Sequence, residues 1–282
     1  MPDLHDAGTG RPGGAPARFG RLSVMSTNAV RTTLITGAAS GIGAALARHL
    51  TALGERVIGV DLSNADICAD LAVPAERAAL VARVQKITPS LDAVVMCAGV
   101  SPPVAGDTLV SVNYFGVADL LPRLLPLLQR GRQPRAVVIS SLASLHPIDT
   151  RLVEMCLAGE EFAARKQAAN IGAPSYASSK RALTQWIRRT AALPGWADAG
   201  VLLNGIAPGV VKTPMVAPLL ETAEGREALS AGVPTVVRDY ATAEQIVPLL
   251  AFLASPANGY MVGQVPFVDG GADVLLRGEA AL

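Results

Sequence analysis

The chain has 282 residues, half of them hydrophobic, 17% charged and only 4% aromatic. A mean hydropathy of +0.38 supports a large core, yet charged residues, glycine or proline interrupt every apolar run before the ~20 residues that a membrane span needs. With 24 basic and 23 acidic side chains the net charge is +1, which argues against a nucleic-acid or membrane partner recognised by bulk charge.

Residues 1–30 carry many glycines and prolines with no helical or strand period. They read as a disordered tail or as a misassigned start ahead of Met25. From Thr32 the chain alternates strand and helix. The strands are expected at Thr32–Thr36, Arg56–Asp61, Ile67–Cys68, Ala93–Met96, Ala136–Ile139, Val201–Asn204 and Gln264–Val268. Helices are expected at Ile42–Leu53, Pro74–Gln85, Asp107–Leu128, Tyr176–Ala192 and Ala243–Leu253. Several strands are nearly continuous apolar runs, as expected when helices cover both faces of a parallel sheet. The pattern predicts a doubly wound, three-layer α/β/α domain of the Rossmann type. Length alone suggests about two domains, but without the tail residues 31–282 are a size that one α/β domain reaches.

The first strand runs into Thr36-Gly37-Ala38-Ala39-Ser40-Gly41-Ile42-Gly43. Glycines between a strand and a helix let the backbone approach a pyrophosphate, whose charge the helix N-terminus favours. Asp61 ends the next strand, where a carboxylate accepts from the adenosine ribose 2′-hydroxyl and repels a 2′-phosphate. No Lys or Arg stands at Ala38, Ala39, Ser40 or Leu62, so NAD is expected over NADP. Tyr176 and Lys180 follow at helical i, i+4 spacing, on one face. A tyrosine pKa of about 10 is too high for a base at neutral pH, and a neighbouring ammonium favours the phenolate.

These motifs, with Cys97-Ala98-Gly99, Asn113, Ser141, Pro208-Gly209 and Asp269-Gly270-Gly271, occur in the order found in the short-chain dehydrogenase/reductases, and the chain resembles that family from about residue 30 to 275. Within it, VIGVDLSNADICADLA, VSVNYFGV, AVVISSLASLHP and VDGGADVLLR are most similar to the bacterial hydroxysteroid dehydrogenase/carbonyl reductase subgroup. The resemblance implies an NAD-dependent alcohol dehydrogenase or carbonyl reductase. Tyr176 would be the general acid/base and Ser141 would bind the reacting oxygen. Lys180 would hold the nicotinamide ribose and depress the tyrosine pKa, and Asn113 would hold a relay water. Gly37, Ser40, Gly41, Ile42 and Gly43 would line the pyrophosphate, Asp61 the ribose, and Asp70 and Leu71 the adenine. Ala98, Gly99, Pro208, Gly209, Val211 and Thr213 would complete the cofactor site, with Tyr176 and Lys180 at its nicotinamide end.

Met96-Cys97-Ala98-Gly99 replaces the family's usual Asn-Asn-Ala-Gly, and Cys97 reads as a small packing residue. Between Ser141 and Tyr176 an inserted helical excursion is expected at about 145–172. In most family members the tyrosine-bearing helix packs against another subunit. The excursion is expected to obstruct that packing and leave a homodimer formed by another face, with a tetramer as the alternative. Residues 213–240 are expected to form a substrate lid, apolar enough for a steroid, terpenoid or aryl carbonyl. No metal site is expected, since His5, His49 and His146 give no ligand set. Cys68, Cys97 and Cys156 form no disulfide framework, which points to the cytoplasm. A non-catalytic, NAD-binding regulator on the same fold is the competing reading. Such a protein would not need tyrosine and lysine at helical spacing beside a serine.

Overall fold

A computed structural model describes residues 30–281, so the expectations for the first 29 residues lie outside the described part. Seven parallel strands form one sheet: β1 (Thr32–Thr36), β2 (Arg56–Asp61), β3 (Ile67–Cys68), β4 (Ala93–Met96), β5 (Arg135–Ile139), β6 (Leu202–Pro208) and, further along the chain, Phe267–Val268. A separate two-stranded ladder joins β7 (Val211–Lys212) to β8 (Ala241–Thr242), which makes Phe267–Val268 β9. The sheet order is β3-β2-β1-β4-β5-β6-β9. The strand order therefore reverses direction between β1 and β4, where Thr36 is in register with Met96. A crevice opens at the carboxyl ends of strands at such a switch point.

Helices cover both faces, as the apolar strands require. One face is covered by α1 (Gly41–Ala52), while α2 (Pro74–Ile87) lies on the other. The segment read as a single helix over 107–128 is broken into α3 (Gly106–Val110), a π-helical turn (Ser111–Phe115), α4 (Gly116–Ala118) and α5 (Leu120–Leu128). Buried Leu120, Leu121, Leu124, Leu127 and Leu128 make one apolar stripe along α5. The inserted segment forms α6 (Thr150–Ala158) and α7 (Glu161–Ile171), followed by α8 (Pro174–Thr190), which carries Tyr176. Asp149 caps α6 by accepting from the Leu152 N–H at 2.6 Å, and Gly159 ends it in the left-handed region with φ +78°.

The segment expected to form a lid holds α9 (Ala217–Glu221) and α10 (Ala223–Gly232). Its two ends are joined by the β7–β8 ladder and by a Lys212–Asp239 ion pair. After it, α11 (Ala243–Ala254) packs on α1, and α12 (Ala272–Arg277) follows β9. The last strand is shorter than the 264–268 expected from sequence. The Gln264 and Pro266 carbonyls accept from Gly205 and Ala207 at 2.8 and 2.9 Å, but Pro266 has no N–H to return.

Candidate active site

The crevice at the switch point is a cleft of about 410 Å³. At one end it is bounded by Asp61, Asp70 and Leu71; at the other by Ser141, Tyr176 and Lys180. Gly37, Ser40, Gly41, Ile42 and Gly43 line its floor, while Ala98, Gly99, Pro208, Gly209, Val211 and Thr213 line its walls. Every cofactor-site residue expected from sequence thus borders one cleft. Asn113 lies behind the lining, 1% exposed.

Close approach explains the glycines. Gly37 has φ +70°, and a Cβ there would stand 2.8 Å from the Ala98 nitrogen. Gly41 has φ +53°, and its missing Cβ leaves room for the Thr213 methyl at the root of the lid. Sequence reasoning placed one residue in the turn motif without giving it the role of joining this turn to the end of β4. It is Thr36, fully buried, whose hydroxyl oxygen accepts from the Ala98 N–H at 3.1 Å. A threonine closing an apolar strand directly before a glycine turn is the signal that could have shown that role. No acidic side chain stands in the first turn of α1, so its positive end is left for an anion. Asp61 accepts from the Ala39 N–H at 2.9 Å and from the Leu62 N–H at 2.7 Å. Each carboxylate oxygen keeps acceptor capacity toward the cleft.

At the opposite end, β5 delivers Ser141 in an extended conformation. The serine oxygen caps the next turn by accepting from the Ala143 N–H at 3.1 Å, and the hydroxyl proton remains available to donate. Ser140 also escaped the sequence reading as a positioning residue. Its hydroxyl donates to the Lys180 carbonyl at 3.2 Å and pairs with the Thr184 hydroxyl at 2.7 Å, which fastens β5 to α8. Asn113 uses its side chain on the loop after Gly99. Oδ1 accepts from the Val100 N–H at 2.8 Å, and Nδ2 donates to the Val100 carbonyl at 2.9 Å. A relay water would have to share the one acceptor position and one proton that remain.

Lys180 is 5% exposed and donates from Nζ to the Ile139 carbonyl at 3.1 Å. Burial pulls its pKa down to about 8, opposed by the nearby Cys97 thiol. Burial pushes Cys97 itself up to about 12, against the Lys180 charge, and the half-buried thiol also lines the cleft. Tyr176 departs from the expected electrostatics. Burial raises its pKa, and the opposing effect is a side-chain hydrogen bond with Ser141. The Lys180 ammonium stands 5.9 Å from the Tyr176 ring centroid, and burial is the larger effect on the tyrosine. In this state the tyrosine is a protonated acid flanked by a hydroxyl donor.

These residues fit a dinucleotide. A glycine cradle with no room for side chains faces a helix N-terminus, a carboxylate stands at one end, and a buried lysine with no carboxylate partner among the described residues stands at the other. Among those residues no three His, Cys, Asp or Glu side chains cluster as metal ligands, and no helix is long and apolar enough to cross a membrane.

Residues 31–153 match the family model described as short chain dehydrogenase, and residues 160–273 match one described as Enoyl-(Acyl carrier protein) reductase. The chain is 40% identical over 253 residues to a 3-alpha-hydroxysteroid dehydrogenase/carbonyl reductase of Comamonas testosteroni, covering 86% of this chain and 97% of that one. It is 31% identical over 245 residues to a galactitol 2-dehydrogenase (L-tagatose-forming) of Cereibacter sphaeroides, covering 85% and 94%. Among solved structures, the 3-alpha-hydroxysteroid dehydrogenase from Pseudomonas sp. B-0831 complexed with NADH superposes with a TM-score of 0.83 at 39% identity, covering 88% of this chain and 99% of that one. Sequence, fold and cleft agree, and the chain belongs to the short-chain dehydrogenase/reductase family of oxidoreductases.

Proposed function

We propose that the protein interconverts a secondary or aryl alcohol and its carbonyl with NAD(H) as cofactor, on an apolar substrate of the hydroxysteroid class. The observation that carries this reading is the meeting of the glycine turn with Ser141, Tyr176 and Lys180 in one cleft. When bound there, NADH supplies the hydride. Its pyrophosphate would lie on Gly37–Gly43, its adenosine ribose at Asp61 and its nicotinamide ribose at Lys180.

In the reductive direction the Tyr176 hydroxyl, kept protonated by burial, donates its proton to the carbonyl oxygen as negative charge develops there. The Ser141 hydroxyl donates a hydrogen bond to the same oxygen. Lys180 then replenishes the tyrosine proton and keeps the phenolate from standing as a bare buried anion. In the oxidative direction neutral Lys180 first takes the Tyr176 proton, and the phenolate then accepts the proton of the alcohol.

NAD is favoured over NADP by Asp61 and by the lining of the adenine end, where Leu62, Ala69, Asp70 and Leu71 offer no cation to a 2′-phosphate. An apolar substrate is favoured by Val100, Val104, Val112, Pro214, Met215 and Val216 around the mouth. The Comamonas and Pseudomonas relatives, named for hydroxysteroids, agree with that size and polarity. A homodimer is supported by α6 packing on the flank of α8 and α7 packing on α3, which occupies the surface of the tyrosine-bearing helix. The cytoplasm is supported by Cys68, Cys97 and Cys156 all being free thiols.

The test is a panel of hydroxysteroids, aryl alcohols and terpenols with NAD⁺ and with NADP⁺, followed by the absorbance of the reduced nicotinamide. Turnover with NAD⁺ supports the reading. Tight NADH binding without turnover of any compound in the panel would favour the regulator instead. Sedimentation showing a tetramer with α8 buried between subunits would overturn the dimer.

A further inference from the structure

A buried charge costs free energy unless it is paired and hydrogen-bonded, and Arg77 on α2 is fully buried. Its guanidinium reaches three segments that are far apart in sequence. Nε donates to Asp119 Oδ2 at 3.0 Å, and Nη1 to the Leu71 carbonyl at 2.8 Å. Nη2 donates to Glu161, the first residue of α7. The second oxygen of that carboxylate accepts from the Ser111 hydroxyl at 3.2 Å. Ser111 opens the π-helical turn that carries Asn113. Asp119 is balanced in turn by Arg123, whose Nε donates to Oδ1 at 2.9 Å.

Glu161 therefore stands at a junction. Through Arg77 it reaches the main chain of Leu71, which lines the adenine end of the cleft. Through Ser111 it reaches the turn behind the nicotinamide end. We infer that Glu161 is a positioning residue for dinucleotide binding, by which the inserted helix pair holds the adenine wall of the cleft in place. This rests on the cofactor reading above and deepens it. A guanidinium whose Nε and Nη2 are held by two carboxylates has Nη1 left on the Leu71 carbonyl. Removing one carboxylate frees the group to turn toward the other, and the Leu71 carbonyl loses a charge-assisted donor of fixed direction.

The junction predicts an asymmetric loss. In Glu161→Gln the amide nitrogen can donate to the Ser111 hydroxyl in place of the carboxylate oxygen that accepted from it, so the nicotinamide-end turn keeps its contact and only the charge facing Arg77 is lost. The dissociation constants of 5′-AMP and of NADH rise together by about tenfold, the scale of one charge-assisted hydrogen bond. That of reduced nicotinamide mononucleotide, which occupies the other end, stays at the wild-type value. Calorimetric titration of all three probes reads this without turnover. Asp119→Asn, which weakens the hold on the same guanidinium at Nε without touching the insertion, is expected to give the same selective loss, and serves should Glu161→Gln fold poorly. Unchanged 5′-AMP affinity in a folded variant, or an equal loss for both halves of the dinucleotide, overturns the inference. A wild-type protein that binds none of the three probes overturns the cofactor reading and this inference with it.

Discussion

Lys180 donates its ammonium proton to the main-chain oxygen of Ile139 at 3.1 Å, across the gap between α8 and the end of β5. A lysine buried on a carbonyl is poised for a ribose hydroxyl, and holding it there has a cost. Its folded pKa is about 8, against an ordinary 10.5. Below pH 8 the folded and unfolded chains both carry the charge, and the folded chain bears the desolvation penalty. Above 10.5 neither carries it. The stability of the wild type relative to Lys180→Met should therefore rise by about 3 kcal/mol between those limits. Chemical denaturation of both proteins across that range checks the slope.

The carboxylate proposed to select NAD also shapes the glycine turn, since Asp61 accepts from the Ala39 and Leu62 N–H groups. Asp61→Ala should weaken NADH binding by about 1–2 kcal/mol through loss of charge-assisted hydrogen bonds. It should also improve NADPH by removing the repulsion. The ratio of the two kcat/KM values measures this, and an unchanged ratio would remove the argument for NAD.

Gly37 sits against the end of β4 in a conformation that L side chains resist. Gly37→Val combines positive-φ strain with a Cβ 2.8 Å from the Ala98 nitrogen. A loss of about 2–4 kcal/mol in stability is expected, together with loss of NADH binding. Thermal unfolding and NADH fluorescence report the two effects separately.

His146 joins the loop after Ser141 to the lid, with Nε2 paired to the Gly232 carbonyl at 2.8 Å, at the C-terminal end of α10. His146→Ala releases that contact while the β7–β8 ladder still holds the root of the lid. The expected result is a KM for the alcohol raised about threefold to tenfold, the scale of one hydrogen bond, with NADH affinity unchanged. Steady-state kinetics with each substrate varied in turn distinguishes the two.

Much of this architecture is legible in the sequence because backbone sterics and helical spacing write it locally. Gly37 and Gly41 announce a tight turn, the apolar run Ala93–Met96 a buried strand, and Tyr176 with Lys180 one helix face. The π-helical turn at Ser111–Phe115 left no such trace. It depends on Asn113 bonding to Val100, a contact between segments that periodicity does not see. The Tyr176 pKa escaped for a related reason. Helical spacing brings Lys180 near, but how far burial outweighs its charge depends on everything packed around both. Nothing in the local sequence singles out Arg77, and only the fold shows two carboxylates from distant segments converging on it.

The most direct test of the central claim is Tyr176→Phe, which removes one oxygen from the cleft and keeps the ring. NADH binding should match the wild type, while kcat with any productive alcohol or carbonyl should fall by about 10²–10⁴-fold, the usual contribution of a positioned acid/base. Wild-type turnover in a folded, NADH-binding Tyr176→Phe protein would contradict the assignment of the proton transfer to this residue.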